Sequence, residues 1–436
     1  MISIFENRRP VFLFLLIACC SCSSKYNSEA EADACNKIAK LECQTGNYEQ
    51  ALIDSSKAID LNPRSIGAYN LRAVIKSFLK DFDGAISDCS KAIEINSKSA
   101  FSYYERGAAK RQIKDYVGAI ADFDEAIHLN LTSTLVYEER GRAKMSLKNY
   151  DDALFDFNKA IELNSKIPNS ENAELYGMRG VTKRHIKDYK GAIADFDKVI
   201  EIETNNEPGY KERGLSKDEI KDYAGALADL NRALELNAND SFAYSCRGIT
   251  KRHLDDLNGA INDFDRAITI DPKNALAYAD RGYAQSDLLQ WQPALDSFRK
   301  SLELDSSLHY SRFRIYLIRA RIGQQEDAVK ELTEYLTTIQ GAAADSWTIK
   351  IGFFLVGSLT QDEFLATAKN SAKDLRDQSS QLCEAYYFAG MKHLIEKDKT
   401  AAAILFQSCL KTGENNYFEY ASAAVELNSL KISEYK

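Results

Sequence analysis

Residues 100–133 read AFSYYERGAAKRQIKDYVGAIADFDEAIHLNLTS, and this stretch is one copy of a sequence repeat that recurs along the chain. Apolar residues at spacings of 3, 4 and 7 predict two amphipathic helices, helix A at about 101–113 and helix B at about 116–129. Gly107 and Ala119 stand at positions 8 and 20 of the copy. We expect the two helices to cross there, because larger side chains would push them apart.

The sequence repeat has a fixed period. The alanine that opens helix B is followed by the next one after 34 residues, except for one step of 39 with its extra residues around Pro168. These alanines are Ala51, Ala85, Ala119, Ala153, Ala192, Ala226, Ala260 and Ala294. Asn or Asp follows helix B in seven of eight copies, and these residues tolerate the left-handed conformation that ends a helix and can also cap the next one. The eight copies are 32–65, 66–99, 100–133, 134–167, 173–206, 207–240, 241–274 and 275–308.

A 34-residue helix-turn-helix period resembles the tetratricopeptide repeat (TPR) over residues 32–308. The resemblance implies an all-α solenoid, a right-handed superhelix with a helical C-terminal cap. It also implies a concave groove, lined by A helices, that binds a peptide or a partner helix. In this family positions 2, 5, 9, 12 and 13 of helix A face the groove. They nominate Glu138, Arg142, Arg184, His185, Lys211, Asp218, Arg252, His253 and Tyr283 as the partner-binding groove.

The tail departs from the strict period. A degenerate ninth repeat with Tyr316 at the small position and a helical insert occupy 309–382, and a tenth TPR-like repeat with a capping helix occupies 383–436. This tail resembles the post-repeat segment of NlpI-type bacterial lipoproteins. The resemblance implies an anchored adaptor that docks periplasmic murein hydrolases or a protease. The stretches that carry it are Trp347, Phe353–Gly357, Leu359–Leu365, Leu382–Gly390 and Tyr417–Tyr420.

The N-terminus predicts export. Arg8 and Arg9 precede an apolar run too short to span a bilayer, which is typical of a secretory signal at residues 1–18. The run Leu16–Cys19 also resembles a bacterial lipobox. That resemblance implies cleavage before Cys19, acylation of Cys19 and a tether over residues 19–31. Plain secretion and an uncleaved hydrophobic tail are the alternatives. The residue after Cys19 favours the outer membrane, with the protein facing the periplasm.

Chemistry other than protein binding finds little support in the sequence. The net charge of −8 argues against nucleic acid as a partner. Phosphate-loop, dinucleotide, zinc-protease and nucleophile-elbow motifs do not occur, and no Cys/His cluster has metal-ligand spacing. We therefore expect no catalytic residues, no cofactor and no metal, and contact with a membrane only through the lipid. The sequence leaves open whether the chain forms a homodimer.

Charged residues repeat as regularly as apolar ones. Position 7 is Arg in copies two to eight, and position 23 is Asp in copies one to seven. Helix B of one repeat packs on helix A of the next, so this offset predicts seven inter-repeat salt bridges, from Asp54–Arg72 to Asp263–Arg281. The alternative is that each residue is favoured separately inside its own repeat.

Two cysteines of the tenth repeat are predicted to face each other. Cys383 and Cys409 stand at positions 1 and 27, and antiparallel helices that cross at positions 8 and 20 bring together residues whose positions sum to about 28. In an oxidising compartment such a pair would form a disulfide. The alternative is a pair of small buried thiols.

Three classes of function compete at this point. The favoured one is a lipid-anchored envelope scaffold or adaptor that binds proteins or peptides through its groove. The second is a structural or assembly lipoprotein of an outer-membrane or secretion complex. The third is a cytosolic co-chaperone or an enzyme with a TPR front end. The third class conflicts with the export signal, and the Lys/Asn pattern of a carboxylate clamp is absent from the groove positions.

Overall fold

The structure is a computed structural model that describes residues 28–165, 172–339, 346–414 and 417–434. The predicted signal at 1–18, the acylation site Cys19 and the extra residues around Pro168 lie outside the described residues. The chain divides into two compact units, unit 1 at Met1–Thr182 and unit 2 at Lys183–Lys436.

All regular secondary structure in the described residues is α-helical, as the repeat phrase predicts. Unit 1 contains α1 (Ser28–Gln44), α2 (Tyr48–Leu61), α3 (Ile66–Phe78), α4 (Phe82–Ile95), α5 (Ala100–Gln112), α6 (Tyr116–His128), α7 (Thr134–Ser146) and α8 (Tyr150–Asn164). The boundary between the units falls within α9 (Ala173–His185). Unit 2 continues with α10 (Tyr189–Ile202), α11 (Glu207–Glu219), α12 (Tyr223–Leu236), α13 (Ser241–His253), α14 (Leu257–Ile270), α15 (Ala275–Asp287), α16 (Trp291–Leu304), α17 (His309–Arg321) and α18 (Gln325–Thr337). Its last helices are α19 (Trp347–Leu355), α20 (Gln361–Asn370), α21 (Leu375–Ile395), α22 (Lys399–Lys411) and α23 (Phe418–Glu434).

Within each unit the helix pairs stack in chain order. Helices A and B of one copy pack together, and helix B packs on helix A of the next copy. The A helices of successive copies also touch, as α3 and α5 do in unit 1 and α11 and α13 do in unit 2. The predicted TPR solenoid is therefore confirmed as the architecture of each unit.

The first helix begins earlier than expected. Helix α1 starts at Ser28, so the last residues of the predicted tether, 19–31, are helical. Glu29 and Glu31 lie in its first turn, where they interact favourably with the helix dipole. Ala32 and Cys35 are buried, which ties this turn to the repeat that follows.

The turn between helices A and B recurs with the same local geometry. In the third copy Lys114 adopts the left-handed conformation (φ 66°), and the Asp115 carboxylate then accepts a hydrogen bond from the Gly118 amide at 2.9 Å. A Cβ atom on Gly118 would lie 2.2 Å from Asp115 Oδ2, so glycine lets the carboxylate approach without shifting. The tenth repeat accommodates alanine at this position, where the Ala401 amide donates to Asp398 at 3.0 Å. The same Asp–Gly cap occurs at Asp81–Gly84, Asp188–Gly191, Asp222–Gly225 and Asp256–Gly259.

The Asn or Asp after helix B tolerates the left-handed conformation, but Asn62 and Asn96 do not adopt it. Asn130 adopts that conformation (φ 67°), but Asn62 and Asn96 have φ values of −136° and −145°. Their side chains form a turn instead, because Asn96 Oδ1 accepts a hydrogen bond from the Lys98 amide at 3.0 Å. Asn and Asp are thus selected here for the turn after the helix.

Helices A and B approach closely where position 8 meets position 24. A Cβ atom added to Gly248 would lie 2.7 Å from the ring of Phe264, which is fully buried. Where position 8 is the larger Ala73, the side chain at position 24 is the smaller Cys89, and the two lie in one buried cluster. The two positions therefore share one fixed volume. Comparable approaches occur at Gly107–Phe123, Gly141–Phe157, Gly282–Phe298 and Gly390–Phe406.

The predicted ladder of inter-repeat Arg–Asp bridges was wrong. The Asp88 carboxylate accepts two hydrogen bonds from Arg72 of its own repeat, at 2.8 and 2.6 Å, and Lys76 lies 2.8 Å away. The pairs formed within a repeat are Arg72–Asp88, Arg106–Asp122, Arg140–Asp156, Arg213–Asp229 and Arg247–Asp263. In the eighth copy Arg281 donates to Ser297 of its own repeat.

Antiparallel packing explains this correction. Positions 7 and 23 sum to 30, so two helices that cross at positions 8 and 20 bring them close within one repeat. The link to the preceding repeat comes from the remaining guanidinium nitrogen of the same Arg. Arg140 Nη1 lies 2.5 Å from Asp124, at position 25 of the copy before. Asp124 is 55% exposed whereas Asp156 is fully buried, so the intra-repeat pair is the costlier one to break.

The degenerate ninth repeat and the tail form one core. The Tyr316 hydroxyl, at the small position, donates to the Leu355 carbonyl at 2.9 Å. Gly352 of α19 provides a close approach instead, because a Cβ there would lie 2.9 Å from Leu336. Helix α23 was predicted to cap the end of the array. It packs on α21 and α22 but also turns back onto α15.

The shared volume at positions 8 and 24 yields a prediction. We expect Gly248→Ala to destabilise unit 2 by ~1 kcal/mol or more, because overpacking outweighs the higher helix propensity of alanine. In a Phe264→Cys background, which reproduces the Ala73–Cys89 pair, the same substitution should stabilise instead. Hydrogen exchange of the α13 and α14 amides in a double-mutant cycle measures both effects. The same sign in both backgrounds would contradict the account.

Candidate functional site

The nominated groove residues lie at five positions of the A helices, and some of them are buried. The side chains at positions 2, 5, 9, 12 and 13 of α3, α5 and α7 are called the unit 1 face. The side chains at the same positions of α13, α15 and α17 are called the unit 2 face. The unit 1 face comprises Gly67, Asn70, Val74, Ser77, Phe78, Phe101, Tyr104, Ala108, Arg111, Gln112, Leu135, Glu138, Arg142, Met145 and Ser146.

Two nominated residues of unit 1 pair with each other. Arg142 lies 2.7 Å from Glu138, on the same helix, and also forms an ion pair with Glu174 at the start of the next A helix. Glu138 is buried and Arg142 is half-buried. The pair therefore joins successive A helices while leaving part of the Arg142 side chain accessible.

Several nominated residues of unit 2 form similar links. Arg184 lies 2.9 Å from Glu212, and Lys211 lies 2.6 Å from Asp240. Burial, and then the charge of Arg184, lower the pKa of His185. These residues bridge neighbouring repeats, so a partner would meet charges that already have partners within the chain.

Asp218 and His253 are brought together. Asp218 accepts a hydrogen bond from the Thr250 hydroxyl at 2.7 Å, and its other oxygen lies 3.2 Å from His253 Nδ1. The His253 ring lies against Tyr223 at a centroid distance of 4.9 Å.

The last two nominated residues lie beneath helix α23. Phe418 stacks on Tyr283 at a centroid distance of 4.2 Å, and the Arg252 guanidinium lies 4.3 Å from the centre of the Phe418 ring. Arg252 also pairs with Asp287 at 2.7 Å and donates to the Phe418 carbonyl. Arg252 and Tyr283 are 5% and 6% exposed, so in this structure α23 covers them.

Three polar side chains of helix α23, spaced about one turn apart, bind the repeats beneath it. Glu419 pairs with Arg314 at 3.0 Å, and the Ser422 hydroxyl donates to Asp287 at 2.7 Å. Glu426 forms an ion pair with Arg321 one turn later. The three α23 side chains are nearly fully buried, so the helix is held by specific hydrogen bonds as well as by apolar contact.

Burial perturbs the carboxylic acids near this helix. The pKa of Glu384 is raised to about 8, first by burial and then by the charge of Glu419. Its oxygens accept hydrogen bonds from the Tyr310 hydroxyl at 2.9 Å and from Trp347 Nε1 at 2.5 Å. Burial also raises the pKa of Asp280, to about 7. These groups hold protons at a pH where exposed carboxylates have lost them.

Matching positions show how the two faces differ. Positions 9, 12 and 13 of the eighth copy are Tyr283, Ser286 and Asp287, and all three are buried. In the third and fourth copies the side chains at position 13, Gln112 and Ser146, are exposed. The unit 1 face also exposes large apolar side chains, Phe78 (56%), Phe101 (45%) and Leu135 (57%). In unit 2 Phe242 and Leu276 at position 2 are exposed beside the covered positions.

Cys383 and Cys409 face each other, as the position sum predicts. Their sulfur atoms lie 3.4 Å apart, and both residues are fully buried free thiols here. The thiol contact with Cys383, and then burial, raise the pKa of Cys409. The disulfide itself stays a prediction.

Two further features bear on function. Among the described residues, no group of His, Cys, Asp and Glu side chains could hold a metal ion. A search of the same residues for a helix with the length and apolarity to cross a membrane finds none.

The sequence missed the residues with which α23 docks. It singled out the run Tyr417–Tyr420 but assigned α23 to the end of the array, because the partners of α23 are distant in sequence. The sequence did contain an indication of this docking site. Asp287 and Arg321 are charged residues at position 13 of the eighth and ninth copies, and Arg314 lies between them in sequence. Charged residues in the repeats nearest the tail could have indicated a polar docking partner.

The comparisons identify the repeat. The family model described as "Tetratricopeptide repeat" matches residues 32–65, 66–99, 136–167 and 173–206. The chain therefore contains TPR repeats. No curated protein matches the chain.

Several solved structures are similar to the chain. YrrB, described as "a TPR protein with an unusual peptide-binding site", is 23% identical, and the match covers 43% of this chain and 95% of that chain with a TM-score of 0.38. PilF of Pseudomonas aeruginosa is 20% identical, with 49% and 95% covered and a TM-score of 0.43. Yeast Tom70 is 16% identical, with 94% and 97% covered and a TM-score of 0.38.

The raised pKa of Glu384 predicts a pH dependence. The unfolded side chain titrates near its usual value of 4.5 and the folded one near 8, so the folded state retains a proton that the unfolded state releases in that window. Stability should fall as pH rises from about 4.5 to 8. Glu384→Gln should therefore gain ~1 kcal/mol or more relative to wild type across this window.

Urea unfolding at several pH values, followed by hydrogen exchange in α19 and α21, measures this difference. Glu326→Gln, at an exposed carboxylate, is the control and should leave the pH profile unchanged. A Glu384→Gln profile parallel to wild type would show that Glu384 is ionised throughout the window.

Proposed function

We propose that this chain is a non-catalytic adaptor of a bacterial cell envelope, anchored by an acylated Cys19, that docks a partner protein on the unit 1 face. The TPR repeats support the adaptor role, because such stacks present A-helix surfaces to peptides and proteins. The sequence before Ser28 supports the anchor, through the basic residues, the short apolar run and the lipobox-like Leu16–Cys19. Murein hydrolases and proteases of the periplasm are the partner classes that the NlpI-type resemblance suggests.

The observation that carries the choice of surface is the exposure of apolar side chains on the unit 1 face. Phe78, Phe101 and Leu135 are all about half exposed on neighbouring A helices. Phe101 and Leu135 share position 2 of successive A helices, and exposed large apolar side chains that lie near each other on a surface are typical of an interaction site. On the unit 2 face the equivalent central positions are occupied by α23 of the same chain.

Both faces also contain charges of both signs. On the unit 1 face Arg142 pairs with Glu138 of its own helix, and Arg111 pairs with Glu139 at the edge of the face on the neighbouring A helix. Charged groups around an apolar centre give specificity and orientation to a complex, while the apolar contacts contribute most of the affinity. This arrangement suits a protein partner.

Site-specific photocrosslinking in the bacterial envelope tests the surface. Benzoylphenylalanine at Gln112 or Ser146, which are exposed on the unit 1 face, should crosslink a discrete protein. The same probe at Ala121, exposed on helix B of the third copy, is the control and should not. Equal crosslinking at Ala121, or none at either face position, would contradict docking on this face.

Acyl labelling of the same strains tests the anchor. Wild type should incorporate labelled fatty acid and sediment with membranes, and Cys19→Ala should lose both properties. Incorporation that is unchanged in Cys19→Ala, or absent from wild type, would remove the anchor from the proposal. The photocrosslinking result does not depend on this outcome.

A further inference from the structure

An ion pair recurs between successive A helices. Arg111 at position 12 of the third copy lies 2.5 Å from Glu139 at position 6 of the fourth. Arg184 at position 12 of the fifth copy lies 2.9 Å from Glu212 at position 6 of the sixth. In both pairs the arginine of one repeat neutralises an acid on the next A helix, in the seam between the two helices.

One seam of unit 1 has the acid without the arginine. Glu105 is at position 6 of the third copy, but position 12 of the second copy is Ser77, which carries no charge. In the part of the chain that the structure describes, no cation pairs with Glu105. Burial, and then the charge of Glu139, raise the pKa of Glu105 to about 7. The Glu105 carboxyl group is half-buried and lacks the counter-ion that Glu139 and Glu212 have.

Glu105 lies beside a fixed helix contact and near exposed apolar side chains. Ser102 donates to Asn70 at 2.7 Å, which fixes α5 against α3 beside the seam. Phe78 and Phe101, exposed by 56% and 45%, belong to the two helices that form it. Phe101 precedes Glu105 by one helical turn, so an arginine or lysine side chain could place its charge at Glu105 while its aliphatic stem covers the Phe101 ring.

We propose that the seam between α3 and α5 binds an arginine or lysine side chain from an extended peptide segment of the partner protein, with Glu105 as its counter-ion. The flanking apolar residues of that segment pack on Phe101 and Leu135. This inference rests on the proposed function and adds to it the chemistry of the ligand, a basic residue between apolar ones. The missing arginine of the repeat pattern is thus supplied by the partner.

The repeat pattern itself provides the test. Ser77→Arg introduces the arginine of the other seams, so its guanidinium should pair with Glu105 and block the site. Ser77→Gln adds a side chain without the charge and is the matched control. Glu105→Gln removes the counter-ion without changing the shape of the seam. Full-length protein that has the far-ultraviolet circular dichroism of wild type is used for each variant.

The probe is an end-blocked, fluorescein-labelled peptide of ten residues with one central Arg between leucines, compared with its twin that has Gln in place of Arg. Wild type and Ser77→Gln should bind the Arg peptide about tenfold more tightly than the Gln peptide, a difference of ~1.4 kcal/mol. The preference should weaken at high salt. In Ser77→Arg and Glu105→Gln both peptides should bind equally.

Equal binding of the two peptides to wild type, or a Ser77→Arg protein that keeps the preference, would overturn the inference. The envelope crosslinks separate this failure from that of the proposed function. A partner that crosslinks at Gln112 in wild type and equally in Ser77→Arg keeps the adaptor role and refutes this site. A peptide preference without any envelope crosslink keeps the site and refutes the adaptor role.

Discussion

The close approach of helices A and B is the constraint on which the rest of the structure depends. Where position 8 is glycine, the ring at position 24 lies against its backbone, as Phe264 does at Gly248. The neighbouring residues, position 7 and position 23, are then held at contact distance inside one repeat. A buried Asp at position 23 follows, and it is tolerated because an Arg and a Lys of the same repeat neutralise it, as Arg247 and Lys251 do for Asp263. Packing and electrostatics therefore select the same geometry in copy after copy.

The fold could be predicted from the sequence because each contact within a repeat is repeated many times. The helix bounds of the type copy agree within about one residue, and the facing sulfur atoms of Cys383 and Cys409 follow from the sum of their positions. The predicted inter-repeat Arg–Asp ladder was wrong because the same sum, which is 30 for positions 7 and 23, brings each Arg and Asp together within one repeat. The packing of helices A and B within one repeat therefore decides which Arg and Asp pair, and the number of Arg and Asp residues along the chain does not.

The site could be predicted only in part, because what covers it is not local in sequence. The repeat pattern nominates Arg252 and Tyr283 as readily as Arg142, yet Phe418 lies on the first two and nothing in the described residues covers Gln112 or Ser146 in the same way. Helix α23 joins Asp287, Arg314 and Arg321 through side chains more than a hundred residues away. Identical repeat positions therefore serve two purposes, an internal docking site in unit 2 and an open surface in unit 1.

Hydroxyl-radical footprinting of the full-length protein, free and with a photocrosslinked partner, tests this division most directly. In the free protein Phe101 and Leu135 should be oxidised readily, whereas Tyr283, covered by α23, should be protected. The partner should protect Phe101 and Leu135 and leave the oxidation of Phe242 and Leu276 unchanged. Rapid oxidation of Tyr283 in the free protein, or protection of Phe242 and Leu276 without protection of Phe101, would contradict the account.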